Sequence, residues 1–223
     1  MSAVFPEPPA LHGTPTTLTL PPGRWWRVHS LVHASGRFGP TQFNDSGLGN
    51  ARFSPLFVTT GPLLTMYLAA SLEAALMETV LHDVPYPSAG CIHDLDRDLQ
   101  GSLHASRIEL HQPLQLIDLT KLGLQRMGLR VSQMFETEAN DYPRTRRWAE
   151  WLLAQLPHAH GLAWMSARQP QEMALMLVGG ARPADGRIRM QATANPQPLR
   201  DPEVTAVLLR LLTRLGCGVA PSI

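Results

Sequence analysis

Residues 141–165, DYPRTRRWAEWLLAQLPHAHGLAWM, decide the fold class. Asp141 and Tyr142 lead into Pro143, whose fixed φ and missing N–H suit the first position of a helix. Trp148, Trp151, Leu152 and Leu156 recur at helical spacing and give that helix a buried face. Gly161 follows, and Leu162-Ala163-Trp164-Met165 reads as a short apolar strand. Helix and strand therefore share one stretch, and the question is whether the pair repeats as a regular alternation.

It does not. Upstream, Arg24-Trp25-Trp26-Arg27-Val28-His29 reads as a strand, rich in aromatic and branched residues. Residues 33–56 read as a long loop, with Gly36, Gly39, Pro40, Asn44, Asp45, Gly47, Gly49 and Asn50. Residues 57–60 suggest a short strand, and 106–119 alternate like a strand around Pro113. A helix is expected over 71–82, with Ser71 as N-cap, Glu73 in its first turn and a stripe of Leu72, Ala75, Leu76 and Thr79. Glu78 falls on the flank of that stripe, where a carboxylate can face a cleft beside the core. Downstream, 173–178 and 187–192 read as strands. Asp201-Pro202 opens a last helix striped with Val204, Val207, Leu208, Leu211 and Leu215 and stopped by Gly216. Strands and helices mixed in this irregular order predict an α+β domain with a mixed sheet, not a doubly wound α/β sheet.

The composition supports a single folded unit. The chain has 223 residues, 44% hydrophobic and 17% charged, which suffices for a core and excludes a disordered chain. A net charge of +1 argues against a general nucleic-acid binder. No apolar run approaches the roughly 18 residues of a membrane helix, and no basic-then-apolar leader opens the chain. Cys91 and Cys217 stand far apart, which is neither a disulfide framework nor a zinc site, so a cytoplasmic, reduced protein is expected. Six of the 20 prolines lie in residues 1–22. We therefore divide the chain into a Pro-rich arm, 1–22, extended on the fold or partly disordered, and a domain, 23–223.

Several motifs fail on inspection. Gly47-Leu48-Gly49-Asn50-Ala51-Arg52 begins like a dinucleotide fingerprint but lacks the third glycine and the helix. Asp94, Asp96 and Asp98 imitate a calcium loop, yet Leu99 and Ala105 stand where glycine and glutamate are needed. His29/His33 and His158/His160 lack a supporting carboxylate or thiol at metal-ligand spacing, so no metal is expected.

Three segments taken in order carry a resemblance. They are residues 49–55 (GNARFSP), residues 66–79 (MYLAASLEAALMET), and residues 141–149 (DYPRTRRWA) running on to 161–169 (GLAWMSARQ). This set resembles the RES domain, the toxin half of bacterial RES–Xre toxin–antitoxin pairs, from about Trp26 to about Val178. The name-giving Arg, Glu and Ser map to Arg52, Glu78 and Ser166. The resemblance implies an ADP-ribosyltransferase-like α+β fold. It implies consumption of NAD⁺ by phosphorolysis or hydrolysis, with no bound cofactor and inorganic phosphate as co-substrate of the former. It also implies a cognate antitoxin with a helix-turn-helix part that covers the active site.

The residues fit that chemistry. Breaking the nicotinamide–ribose bond develops positive charge on the ribose, which a carboxylate at Glu78 can stabilise. Arg52 and Arg27 are candidate ligands of the pyrophosphate, since bidentate arginine suits phosphate oxygens. Tyr67 can stack on nicotinamide or bond the ribose, and Ser166 can donate to ribose or phosphate. Each has an ordinary alternative: a solvated helix carboxylate, a paired surface arginine, a core tyrosine, a turn serine. His82, four residues after Glu78, could orient it through a hydrogen bond, and His29 and His33 could reach the cleft from the strand bearing Arg27. Two further readings remain at this level. One is a protein ADP-ribosyltransferase on the same fold, and the other a non-catalytic partner-binding protein.

Overall fold

The computed structural model describes residues 7–8, 13–33, 36–58, 61–84, 90–136, 139–169, 171–179 and 188–220. The chain begins with strands β1 (Thr17–Leu20) and β2 (Gly23–Ser30). Two short hairpins follow, β3 (Val32–His33) with β4 (Gly36–Arg37), and β5 (Phe57–Val58) with β6 (Gly61–Pro62). Strand β7 (Leu64–Ala69) leads into helix α1 (Leu72–Met77). Next come β8 (Ile92–His93), α2 (Leu95–Gln100), β9 (Leu103–Leu110) and β10 (Leu114–Asp118). Helices α3 (Lys121–Arg126), α4 (Val131–Phe135) and α5 (Tyr142–Gln155) form a group. The chain closes with β11 (Gly161–Met165), β12 (Met173–Gly179), β13 (Met190–Ala192), β14 (Gln197–Pro198), α6 (Pro202–Leu215) and β15 (Gly218–Val219).

This is the mixed α+β architecture expected. Among the described residues the main sheet has nine strands in the order β1-β10-β11-β12-β7-β2-β9-β13, with β14 also on β9. Among the described residues only its β10 and β11 run parallel. One apolar cluster draws Leu20 and Leu114 from one edge together with Ile108 and Leu110 near the other, so the sheet curls around it. Strand alternation then puts Met66 and Leu68 of β7 inside that curl and Tyr67 and Ala69 on the outer face. The outer face carries two helical groups. Helices α3, α4 and α5 pack over β11 and β12 (Trp148, Leu152, Phe135, Trp164, Met176). Helices α1 and α6 pack over β2 and β9 (Leu76, Met77, Leu208, Leu211).

Local sequence explains most elements. Helix α5 starts at Tyr142-Pro143, and α6 starts at Pro202 with Asp201 Oδ1 accepting the Glu203 N–H at 3.0 Å. Gly216 ends α6 with φ +71, in the left-handed region glycine tolerates best. Gly161 opens β11 at φ +152, where a Cβ would lie 2.0 Å from the Met176 carbonyl oxygen. Only glycine lets β11 lie this close to β12.

The structure also corrects several expectations. Residues 17–20, assigned to the proline-rich arm, form β1 and pair antiparallel with β10, with Leu20 buried. The sheet therefore starts before residue 23, because Thr17-Leu18-Thr19-Leu20 holds no proline and alternates apolar and polar residues. Residues 1–6 and 9–12 of that arm lie outside the described residues. Helix α1 stops at Met77, not at residue 82. The Thr79 hydroxyl bonds the Ala75 carbonyl at 2.6 Å, and the chain turns so that Leu81 and Val84 enter the core. Asp94 and Asp98 serve α2: Asp94 caps it, and Asp98 bonds His93 at 2.6 Å. Cys91 and Cys217, remote in sequence, meet as free thiols where β8 and β15 pair, and burial raises the Cys217 pKa. Among the described residues no helix is long and apolar enough to cross a membrane.

Candidate active site

Where the two helical groups part, a cleft of about 1090 Å³ opens on the outer face. That is the size range of small-molecule sites. Arg52, Glu78, His82, Tyr142, Trp164 and Arg168 are among the residues lining it. Glu78 caps the C-terminus of α1, so the early stop of that helix turns the carboxylate out of the stripe and into the cleft. Ser166, buried just past β11, donates its hydroxyl to Glu78 Oε1 at 2.5 Å. Ser166 Oγ in turn accepts the Gln169 and Arg168 N–H groups at 3.1 and 3.3 Å. With its proton committed to Glu78 and its lone pairs to backbone, Ser166 orients the carboxylate. The sequence reading gave it to ribose or phosphate instead.

Arg52 projects from a tight turn in which Ala51 and Ser54 bridge. Its Nη1 donates to the Met134 carbonyl at 3.0 Å, and the Thr145 hydroxyl holds its backbone oxygen. The guanidinium carbon lies 5.0 Å from the Tyr142 ring centre and 5.7 Å from that of Phe135. Burial lowers the Arg52 pKa, while Tyr142, Glu78 and Tyr67 pull it back up. The guanidinium is thus held against two aromatic faces where it lines the cleft.

Tyr67 stands behind the cleft wall and is not among its lining residues. Its hydroxyl accepts the Phe53 N–H at 3.2 Å and bonds Ser54, and burial pushes its pKa up to about 12. It thereby props the turn that carries Arg52, and its ring meets Trp164 edge-on with centres 6.2 Å apart.

Arg27 is not brought to this cleft. The register Trp26↔Ala69 puts Trp26 on the outer face, so Arg27 points into the curl. Its Nη1 donates to the Pro40 and Gln42 carbonyls at 2.6 and 2.7 Å, and its guanidinium sits over Phe38. Arg27 thus tethers the long loop, and we drop it as a ligand of the pyrophosphate. His29 shares that inner face and bonds the Ser106 hydroxyl and the Ser30 carbonyl, each at 2.9 Å. The His33 side chain lies outside the described residues. His82 does not bond Glu78; it bonds Asp83 and Tyr142. Sequence reading missed Tyr142, Asp83 and Arg168 as site residues. No spacing rule links residue 142 to residue 82, and only the fold joins them. No group of three or more His, Cys, Asp or Glu among the described residues is placed to hold a metal ion.

His29 gives a pH prediction. Burial, and then the nearby Arg27 charge, lower its pKa from 6.5 to about 4. Falling pH protonates the unfolded chain first, so His29 favours the fold fully above pH 6.5 and loses that contribution on the way down to about 4. The loss reaches about 3 kcal/mol at roughly 1.4 kcal/mol per pH unit. Urea melts at pH 7 and pH 4.5 should show a larger drop for wild type than for His29→Gln. Equal drops would refute the assignment.

Comparisons with known proteins bear on the family and the fold. A family model described as the RES domain matches residues 24–201. No curated protein matches the chain. Among solved structures, a chain of the M. tuberculosis MbcT-MbcA toxin-antitoxin complex is similar, with TM-score 0.55 and 17% identity. The match covers 86% of this chain and 92% of that one, and at this identity it carries the fold alone. Arg52 and Glu78 of the cleft, and Ser166 buried behind it, all fall inside the matched span, and the chain belongs to the RES domain family.

Proposed function

We propose that this chain is a toxin enzyme that binds NAD⁺ in the cleft and cleaves its nicotinamide–ribose bond. The observation that carries the reading is the Ser166-held Glu78 carboxylate sharing one cleft with the ring-stacked Arg52 guanidinium. NAD⁺ offers a match for each. Its pyrophosphate is anionic and its ribose turns cationic as nicotinamide departs.

In this reading Arg52 binds phosphate oxygens and Glu78 accepts a ribose hydroxyl. The C–N bond breaks, its electron pair leaves with neutral nicotinamide, and Glu78 stabilises the oxocarbenium-like ribose. Water then adds to the anomeric carbon and gives ADP-ribose and a proton. Inorganic phosphate adding there gives ADP-ribose-1″-phosphate. Ser166 and Tyr67 act through the groups they hold. The likeness to a chain of a toxin–antitoxin complex supports a protein partner that neutralises this one, and the family resemblance supports a helix-turn-helix part in it. A cytoplasmic enzyme with NAD⁺ as substrate and no resident cofactor completes the proposal.

The test is direct. Purified protein incubated with NAD⁺, with and without phosphate, should release nicotinamide. ADP-ribose-1″-phosphate among the products marks phosphorolysis, ADP-ribose marks hydrolysis, and a labelled protein marks ADP-ribose transfer. Absence of nicotinamide under all conditions would overturn the enzymatic reading in favour of a partner-binding protein.

A further inference from the structure

A second network crosses the cleft, and the steps above do not use it. Asp83 Oδ1 lies 2.8 Å from His82 Nδ1, and His82 Nε2 lies 2.9 Å from the Tyr142 hydroxyl. A carboxylate only accepts hydrogen bonds, so in the neutral imidazole it fixes the proton on Nδ1. Nε2 is then an acceptor, and the Tyr142 O–H must donate to it. The hydroxyl bond fixes the pose of the ring whose face carries Arg52, 5.0 Å away.

The other end of the network is tied to Glu78. His82 follows Glu78 on the same turn segment. Arg168 clamps that segment, donating from Nη2 to the His82 carbonyl at 2.6 Å and from Nη1 to the Val84 carbonyl at 2.5 Å. Two residues earlier, Ser166 holds Glu78 itself. Residues 166–168 therefore grip 78–84 at both ends, and 78–84 reaches through His82 to the α5 residue that holds Arg52. Asp83 is almost fully exposed, whereas Tyr142 is buried, so the chain runs from solvent to the cation site.

We infer that Asp83, His82 and Tyr142 form a positioning relay that sets the Arg52 guanidinium relative to Glu78, and through it the affinity of the cleft for a dinucleotide. The inference rests on the NAD⁺ reading for its substrate and on the geometry alone for the relay. Tyr142→Phe keeps the ring but loses the bond. His82→Ala loses both bonds, and His82→Gln restores an acceptor near Nε2.

Nicotinamide-release kinetics should show KM for NAD⁺ raised about tenfold in Tyr142→Phe and in His82→Ala, with kcat changed less than about threefold, as expected for one lost hydrogen bond to a binding group. His82→Gln should recover most of the affinity. The Tyr142→Phe/His82→Ala double variant should be no worse than His82→Ala alone, since each single already breaks the His82–Tyr142 bond. A merely structural role would instead lower the melting temperature at constant KM, without rescue by glutamine. Unchanged KM in both singles, or effects that multiply in the double, would overturn the relay. Side-chain ¹⁵N spectra of the substrate-free protein decide the relay even if the wild type releases no nicotinamide. They should show the Nδ1–H tautomer at His82, and Tyr142→Phe should shift both the His82 Nε2 and the Arg52 Nε signals. Signals at both residues that ignore Tyr142→Phe would also overturn it.

Discussion

Glu78→Gln should lower the rate of nicotinamide release by about 10²- to 10³-fold, or roughly 3–4 kcal/mol of transition-state stabilisation, the range found for removing one preorganised electrostatic group. KM for NAD⁺ should stay within about threefold, because the charge that Glu78 opposes exists only once the glycosidic bond stretches. The substitution isolates charge from shape. An amide oxygen still accepts the Ser166 hydroxyl, which now holds Oε1 at 2.5 Å, so the side chain keeps its aim. Melting temperature should stay within about 2 °C of wild type, since α1 is capped by Ser71 and packed by Ala74, Leu76 and Met77, none of which is touched. Steady-state release of nicotinamide with a parallel thermal melt checks both halves. A variant that turns over at the wild-type rate removes Glu78 from the chemistry, and one that melts early would make the residue structural.

That Glu78 was legible at all depended on a local signal. Ser71 before an apolar, helix-favouring run announces a helix start, and the carboxylate falls off the stripe that packs. The stop was not legible. Nothing in residues 78–82 breaks a helix, yet Leu81 and Val84 gain more by entering the core beside α6 than by continuing α1. Similar competition hid β7. Leu64–Ala69 reads as an unpatterned apolar run because both its faces are covered, the inner by the apolar cluster that fills the curl and the outer by helices. By contrast α5, α6 and β2 were visible, since proline starts, a glycine stop and one-sided burial leave their period in the sequence.

The site divides along the same line. Arg52, Glu78 and Ser166 can be named from the ordered motifs, but their contacts cannot. Arg27 shows the difference. Its type and its strand suited a phosphate ligand, yet one register pair, Trp26↔Ala69, turns it to the opposite face. Strand parity is a tertiary fact whenever both faces of a sheet are buried, because hydrophobicity then no longer marks inside from outside. Ser166 is a related case. A serine after a strand has a hydroxyl to give, and only the distance to Glu78 says where it goes.

Trp148 was readable as core from its spacing alone, and it supplies the largest expected effect on stability. It is fully buried beneath the cleft, in the cluster that includes Phe53, Phe135, Leu152 and Trp164, and its ring meets Trp151 edge-on at 5.8 Å. Trp148→Ala removes that contact and leaves a void between α5 and the sheet, a change that costs about 3–5 kcal/mol in close-packed cores. Domains of this size hold about 5–15 kcal/mol in total and lose roughly 2–4 °C per kcal/mol. The melting temperature should therefore fall by about 10 °C or more. Trp148→Phe keeps a ring in the void and should recover about half of that. Trp151→Ala, on the half-buried neighbour, should cost far less. Because Phe135 and Trp164 wall the cleft from the same cluster, Trp148→Ala should also loosen the cleft and raise KM for NAD⁺ at temperatures well below its own midpoint. Thermal melts and nicotinamide-release kinetics on the three variants read both effects. A Trp148→Ala protein that melts within about 2 °C of wild type would mean the helical group over β11 and β12 repacks freely, and that the cleft wall does not depend on it.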